Sequence, residues 1–184
     1  MEPYADLQSA DLKYANLTNA NMDSAHLQNT DLSQANLSGA WIKDVYLTNA
    51  TLGHANLTGA TLERAELNYA NLYQADLTGA NLTNAYLSDA NLTSADLTDA
   101  TLTDANLYNA TLTNADLTDA NLSGATLTDA ILNDVTLTDA NLSGATLTDA
   151  SLIGANLMGA DLRGADLTGV KFPEGYGKLP AEAK

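Results

Sequence analysis

A five-residue pattern of apolar and polar positions runs through this sequence. In a register that starts at Ala5, the third position of each unit is Leu in 31 of 34 cases, and the first position is Ala in 30 of 34. The third-position exceptions are Met22, Ile42 and Phe172, and the first-position exceptions are Thr30, Val45, Val135 and Val170. No insertion or deletion breaks the register, which therefore predicts one structural unit repeated along almost the whole chain.

A period of five fits neither of the two common secondary structures. On an α-helix, at about 100° per residue, successive Leu residues would lie about 140° apart and would spread around the surface. In a flat strand, successive Leu residues would alternate between the two faces. A chain that turns a corner after every five residues instead keeps Leu and Ala inside and the other three positions outside. Four such sides would close a coil of 20 residues.

An internal duplication supports the 20-residue coil independently. Residues 117–130 and residues 137–150 have the same sequence, LTDANLSGATLTDA, at a separation of 20 positions. About 8 coils stacked at the strand spacing of about 4.8 Å would give a rod roughly 40 Å long. Its interior would be filled by Leu and Ala, which leaves no concave pocket for a small substrate. We therefore expect a protein that is not an enzyme.

The repeated unit, seen for example as ADLTG at residues 75–79 and as ADLTD at residues 95–99, resembles that of the pentapeptide-repeat family. The resemblance covers the chain from about Ala5 to Glu174. It implies an all-β fold, a right-handed quadrilateral β-helix of about 8 coils of 20 residues, which would occupy residues 1–174. Most members of the family have no known activity, and a few inhibit or protect DNA gyrase by resembling DNA.

The C-terminal segment departs from the repeat. Residues 171–184 read KFPEGYGKLPAEAK, and their Pro and Gly residues do not fit the five-residue unit. We expect residues 175–184 to form a tail that partly covers the last coil, with Phe172 and Tyr176 folded over its apolar interior. Terminal coils also expose backbone edges, so end-to-end association of copies of the chain is a further expectation.

Composition and charge restrict the chemistry. The 184 residues include 7 Lys and Arg, 23 Asp and Glu and no Cys, and the net charge is −16. The charge argues against direct binding of nucleic acid or of an anionic membrane. No apolar run is long enough to span a membrane and no signal-peptide core follows Met1, so a cytoplasmic location is expected. His26 and His54 fall on different sides of the coil, and we expect no metal, cofactor or catalytic residue.

The acidic residues form columns in the 20-residue register. Between Ala65 and Leu162 there are 13 Asp and Glu residues and no Lys or Arg. Stacked carboxylates about 4.8 Å apart are expected to raise one another's pKa or to attract cations. The two main columns are Asp76, Asp96 and Asp116 on one side, and Asp99, Asp119 and Asp139 at a corner.

Two interpretations of these columns stay open. They could mimic a phosphate backbone toward a basic partner, or they could be a solvated surface in which Asp and Asn bond nearby backbone at the turns. A Ca²⁺ site is less favoured because no loop encircles the carboxylates. A glycosidase-like carboxylate pair would need a cleft. Stacked Thr-Leu-Thr segments, such as residues 126–128 and 146–148, are too few to indicate an ice-binding surface.

Aromatic residues indicate a second candidate surface. Tyr46 and Tyr86 precede Leu on the same predicted side, two coils apart, with Glu66 between them. Exposed aromatic side chains are enriched at protein interfaces, although such rings can also stack on one another and merely shield the backbone. The candidate surface comprises Tyr46, Tyr86, Tyr69, Tyr73, Tyr108 and Trp41. We thus expect an acidic scaffold that binds an unknown protein partner, with DNA mimicry toward DNA gyrase or another basic DNA-binding protein as the alternative.

Overall fold

Single-residue β-bridges between successive coils define the architecture. The computed structural model describes residues 3–175. Within them, 30 parallel bridges each join residues 20 positions apart, from the pair Asp6–His26 to the pair Ser151–Lys171. A bridge recurs at every fifth residue, so each coil has four sides and the predicted 20-residue coil is confirmed. Within residues 3–175, no β-strand extends beyond a single bridging residue, and no helix is long and apolar enough to cross a membrane.

The bridging residues form four faces, which we number I to IV in the order in which the chain meets them. In a four-sided coil, face I lies opposite face III. Each corner, such as the I–II corner, consists of the two residues that follow the inward Leu of the preceding face. Face I contains Asp6, His26, Tyr46, Glu66, Tyr86, Asn106, Thr126, Thr146 and Asp166; face II contains Asp11, Asp31, Thr51, Asn71, Asn91, Thr111, Ile131, Ser151 and Lys171; face III contains Asn16, Asn36, Asn56, Asp76, Asp96, Asp116, Thr136 and Asn156; face IV contains Asn21, Trp41, Thr61, Asn81, Thr101, Asn121, Asn141 and Asp161.

The residues on either side of each bridge point inward and form the core. From Met22 to Leu152, every inward side chain is at most 1% exposed. Thr30 is the polar member of this set, and its hydroxyl donates to the carbonyl of Leu7 at 2.8 Å. Phe172 takes the inward position that Leu holds elsewhere and packs against the core. The predicted role of Tyr176, and of nearly all of the tail, lies outside the described residues.

Residues 96–100 show where the backbone N–H groups find acceptors. The N–H of Asp96 donates to a carbonyl of the preceding coil, and those of Leu97 and Asp99 donate to carbonyls of the following coil, at 2.7–3.0 Å. The N–H of Ala100 closes the turn onto Leu97 at 3.0 Å. The N–H of Thr98 instead donates to the carboxylate of Asp96 at 3.0 Å. The donor that no backbone carbonyl accepts is thus satisfied by the side chain that precedes Leu, which explains why Asp or Asn so often stands there.

The second residue of each corner has a left-handed backbone. Its φ lies between 53° and 74° in every side from Tyr4 to Gly169. Gly, Asn and Asp tolerate this region better than other residues do, and they fill most of these positions. Asp99, Asp119 and Asp139 are corner residues of this kind. Their side-chain type is therefore explained by backbone conformation, whereas their charge is not, because Asn would serve equally well.

At Tyr86 and Trp41 an aromatic bridging residue displaces the usual acceptor, and the preceding coil supplies another. Tyr86 cannot accept the N–H of Ser88, and the side chain of Asn68 in the preceding coil accepts it at 3.1 Å. Under Trp41, the carboxylate of Asp23 accepts the N–H of the second residue after the ring, at 2.9 Å. Tyr86 and Trp41 are thus each accompanied by a compensating Asn or Asp at a corner position where Ser and Thr are otherwise common.

Removal of one whole coil should leave the fold intact. Deletion of residues 121–140 keeps every downstream side in its register, because each coil contacts only its neighbours. We expect unchanged circular dichroism per residue and a single cooperative unfolding transition. The control is deletion of residues 121–123, which turns the following Leu positions outward and should abolish folding of the C-terminal coils. Equal behaviour of the two deletions would contradict the assigned register.

A double-mutant cycle should detect the compensation at Tyr86. Asn68→Ala leaves the N–H of Ser88 without its acceptor and should lower the free energy of unfolding by about 1 kcal/mol. In a Tyr86→Asn background the cost should almost vanish, because the residue before Leu again accepts that N–H. Urea unfolding measures both values. Thr48→Ala, at the equivalent position of the preceding coil, is the control and should cost the same in both backgrounds, whereas equal costs for Asn68→Ala would argue against the compensation.

Candidate interaction surfaces

An aromatic column lies on face I. Tyr46, Glu66 and Tyr86 occupy the bridging positions of three successive coils. The imidazole of His26, one coil earlier, stacks on the ring of Tyr46 with a centroid distance of 4.8 Å and an interplanar angle of 17°. Tyr86 is 48% exposed, and Tyr46 and Glu66 are partly buried. The two tyrosines that the register places on one side therefore do share it, with a carboxylate between them.

The other predicted aromatic residues surround this column unequally. Tyr69 and Tyr108 lie at the adjoining I–II corner and are well exposed. Trp41 lies on face IV, one face earlier along the chain. Tyr73 lies at the II–III corner, where its ring meets that of His54 edge-to-face at 5.6 Å. The structure thus groups four of the six predicted rings and places Trp41 and Tyr73 on adjoining parts of the surface.

The two predicted acidic columns lie side by side. Asp76, Asp96 and Asp116 are bridging residues of face III in successive coils. The III–IV corner next to them carries the second column, Asp99, Asp119 and Asp139. This acidic surface lies opposite the aromatic column, on the other side of the rod.

The expected rise in pKa is not found at Asp76, where the shift has the opposite sign. Partial burial acts to raise the pKa of Asp76, but hydrogen bonds from the hydroxyl and N–H of Thr78 and from the hydroxyl of Thr58 outweigh it and hold the pKa below its usual value. The hydroxyl of Thr78 donates to the Asp76 carboxylate at 2.7 Å and the N–H at 3.0 Å. At Asp76, local hydrogen bonds to the charged form therefore outweigh the cost of burial.

The charge of the acidic surface is separable from its structural role. Asn16, Asn36 and Asn56 occupy the same column of face III in earlier coils, and each accepts the N–H two residues later at 3.0–3.2 Å. The fold thus requires an acceptor at this position and not a negative charge. The change from Asn to Asp along face III is a property of the surface alone.

Basic residues neutralise only part of the acidic charge. Lys13, Lys43, Arg64 and Arg163 form ion pairs of 2.6–3.0 Å with Asp31, Glu63, Asp44 and Asp161. Arg64 binds both carboxylate oxygens of Asp44 at 2.7 Å. Within residues 3–175, Glu66 forms no ion pair, and no group of three or more His, Asp or Glu side chains is arranged to hold a metal ion.

The structure also exposes apolar side chains that the sequence interpretation did not single out. Ile131, Ile153 and Met158 project from face II, the II–III corner and the III–IV corner near the C-terminal coils, and Tyr14 projects from the II–III corner of an early coil. Each is an apolar residue at an outward position that is polar in most repeats. That departure from the unit is the signal that could have identified them.

Two solved structures illustrate how this chain relates to known proteins. HetL, a pentapeptide-repeat protein involved in the regulation of heterocyst differentiation in the cyanobacterium Nostoc sp. strain PCC 7120, is 34% identical over 94% of this chain and 91% of its own, with a TM-score of 0.45. A trypsin-treated variant of QnrB1, a plasmid-mediated fluoroquinolone resistance protein, is 21% identical over 95% of this chain and 86% of its own, with a TM-score of 0.72. A search of curated proteins found no match.

The chain also matches a protein-family model. The model described as pentapeptide repeats matches with 8 copies, over residues 4–39, 46–84, 70–107, 95–134 and 136–172. The matched repeats coincide with the four-sided coils of the structure. Members of this family form right-handed quadrilateral β-helices, a fold that does not by itself carry catalysis. The chain belongs to the pentapeptide-repeat family.

Proposed function

We propose that this protein is a non-enzymatic scaffold that binds a protein partner through the aromatic column of face I. The interior of the rod is filled by stacked Leu and Ala side chains, so the variation between repeats is confined to the outer surface. Exposed tyrosines supply large contact areas at low conformational cost, and interface hot spots are enriched in them. A partner would meet these rings on a rigid surface that needs no reorganisation.

The observation that carries this proposal is the replacement acceptor that accompanies Tyr86. Tyr86 replaces a side chain that would have accepted the N–H of Ser88, and Asn68 takes over that acceptor role. On face IV, Asp23 likewise accepts the N–H of Lys43, two residues after Trp41. Neither Tyr86 nor Trp41 accepts the backbone N–H that an Asp or Asn at its position would accept. Tyr86 is thus retained where the fold favours Asp or Asn, with a second residue that offsets the loss, and this indicates a role for its ring at the surface.

Substitution of the two tyrosines should abolish partner capture. A Tyr46→Ala/Tyr86→Ala variant of the full chain, immobilised and exposed to extract from the source cells, should lose a partner that the unsubstituted protein retains. Tyr14→Ala, which removes an exposed ring outside the column, should retain it. Retention of every bound protein by the double variant would reject the proposal.

The acidic surface supports a second candidate function, DNA mimicry. Six carboxylates on face III and the III–IV corner follow the rod, and no basic residue occurs between Ala65 and Leu162. Some pentapeptide-repeat proteins act on DNA gyrase by resembling DNA, and QnrB1 is a fluoroquinolone resistance protein of this fold. The charge of Asp76, Asp96 and Asp116 is not required by the fold, since Asn fills the same column elsewhere.

A gyrase assay distinguishes this second candidate. If the acidic surface mimics DNA, the protein should inhibit supercoiling by purified bacterial gyrase at low micromolar concentration, and inhibition should fall at least tenfold between 50 and 200 mM salt. The triple variant Asp96→Asn, Asp116→Asn and Asp119→Asn should lose inhibition. The control makes the same three charge changes at Asp104, Asp129 and Asp134. Absence of inhibition at high micromolar protein would reject DNA mimicry toward gyrase.

A further inference from the structure

We propose that Tyr46, Glu66 and Tyr86 form a site for an arginine side chain in a basic segment of the partner protein. The inference rests on the function proposed for face I and names the chemistry of the partner. Three observations support it: the order of the residues in one column, the orientation of Tyr46, and the unneutralised charge of Glu66.

The column places a carboxylate between two aromatic rings. Tyr46 bridges to Glu66, and Glu66 bridges to Tyr86, so the rings are separated by two coil spacings, or roughly 9–10 Å along the rod. A planar cation stacked between two rings needs about 7–8 Å between their planes. Two tyrosines that incline slightly toward each other can therefore enclose a guanidinium above Glu66.

The orientation of Tyr46 is already set by its neighbour. The imidazole of His26 covers the ring from the side of the preceding coil, nearly parallel to it. The opposite face of the Tyr46 ring is thus directed toward the coils that carry Glu66 and Tyr86. Stacking on His26 reduces the entropy that the ring loses on binding a ligand.

Glu66 has no ion-pair partner in the described part of the chain, whereas the nearby carboxylates of Glu63 and Asp44 are each paired with a basic residue. In the adjoining IV–I corner, Lys43 pairs with Glu63 at 2.8 Å, and Arg64 binds Asp44 through two nitrogens. Arg64 is therefore committed to another carboxylate. No basic residue follows until after Leu162. A carboxylate with rings on both sides and no ion pair in the described part of the chain is complementary to a cation supplied from outside.

The geometry favours arginine over lysine. A guanidinium is planar, stacks on aromatic rings and can bind a carboxylate through two parallel N–H groups. An ammonium is compact and more strongly hydrated, so it gains less from two stacked rings. Cation–π attraction to two tyrosines adds to the charge-assisted hydrogen bonds with Glu66.

A peptide titration tests the inference. The probe is an acetylated and amidated peptide with three arginines separated by glycines, and the matched peptides carry lysine or the neutral isostere citrulline. Tyrosine ring signals of the full chain are followed by NMR. We expect the arginine peptide to shift the Tyr46 and Tyr86 signals and to bind at least tenfold more tightly than the citrulline peptide and threefold more tightly than the lysine peptide. Equal binding of the arginine and lysine peptides would overturn the assignment.

General attraction to a chain of net charge −16 must be separated from a defined site. Glu66→Gln should weaken the arginine peptide at least tenfold, whereas Asp134→Asn, which removes the same charge at another corner, should change its affinity less than twofold. Equal effects of the two substitutions would show only nonspecific attraction and would overturn the inference.

A register-shift variant tests the geometry with all three side chains present. Deletion of residues 76–80 keeps Leu and Ala in frame but moves Tyr86 from face I to face IV, away from Glu66. It should weaken the arginine peptide at least tenfold. Deletion of residues 126–130, which also removes one carboxylate, leaves the three residues aligned and should have less than a twofold effect. Circular dichroism confirms that both variants are folded. Unchanged binding by the first deletion would overturn the inference.

The peptide experiments test the arginine site, and partner capture tests the proposed function, so either one can fail without the other. If Tyr46→Ala/Tyr86→Ala loses its captured partner while the arginine peptide fails to bind, face I is an interface but not an arginine site. If the peptide binds as expected and no partner depends on the tyrosines, the site exists and the scaffold proposal for this face fails.

Discussion

Backbone hydrogen bonds between coils are the constraint on which the rest of this structure depends. Each side donates N–H groups to the coils before and after it, and these bonds recur only when the chain repeats at 20 residues with four equal sides. Leu and Ala then have no alternative but to fill the interior, where they stack on their equivalents in the next coil. The uninterrupted register between Ala5 and Val170 follows from this demand, because one inserted residue would misalign every later side.

The same constraint separates structural from functional information on the surface. The bridging position favours an acceptor for one orphan N–H, and the second corner position favours a residue that tolerates positive φ. Asp and Asn are equivalent under both demands, so the choice between them is open to selection for charge. Tyr86 and Trp41 do not provide this acceptor, and Asn68 and Asp23 accept the N–H groups in their place.

Sequence reasoning was sufficient for the coil, the inward positions and the columns, because all three follow from a single period. The alignment of Tyr46 with Tyr86 and of Asp76 with Asp96 needed nothing more than counting. The predicted direction of the pKa shift at Asp76 was wrong. The register shows that carboxylates stack in a column, but it does not show the hydrogen bonds from Thr58 and Thr78 that lower the pKa. The compensating role of Asn68 was likewise hidden, since it depends on knowing which N–H lacks a carbonyl. No comparable rule connects an exposed side chain to its partner, so the function of either surface stays a proposal.

The hydrogen bonds that join the coils run parallel to the axis of the rod, and this direction has a mechanical consequence. Tension applied to the two ends of the chain loads the bonds of the terminal coil one after another, so that coil peels away while the remainder stays intact. Release of one 20-residue coil lengthens the chain by roughly 60–65 Å. Force applied across the rod instead meets the covalent chain of every coil at once. The molecule is therefore stiff against lateral load and yields in discrete steps when drawn out from its ends.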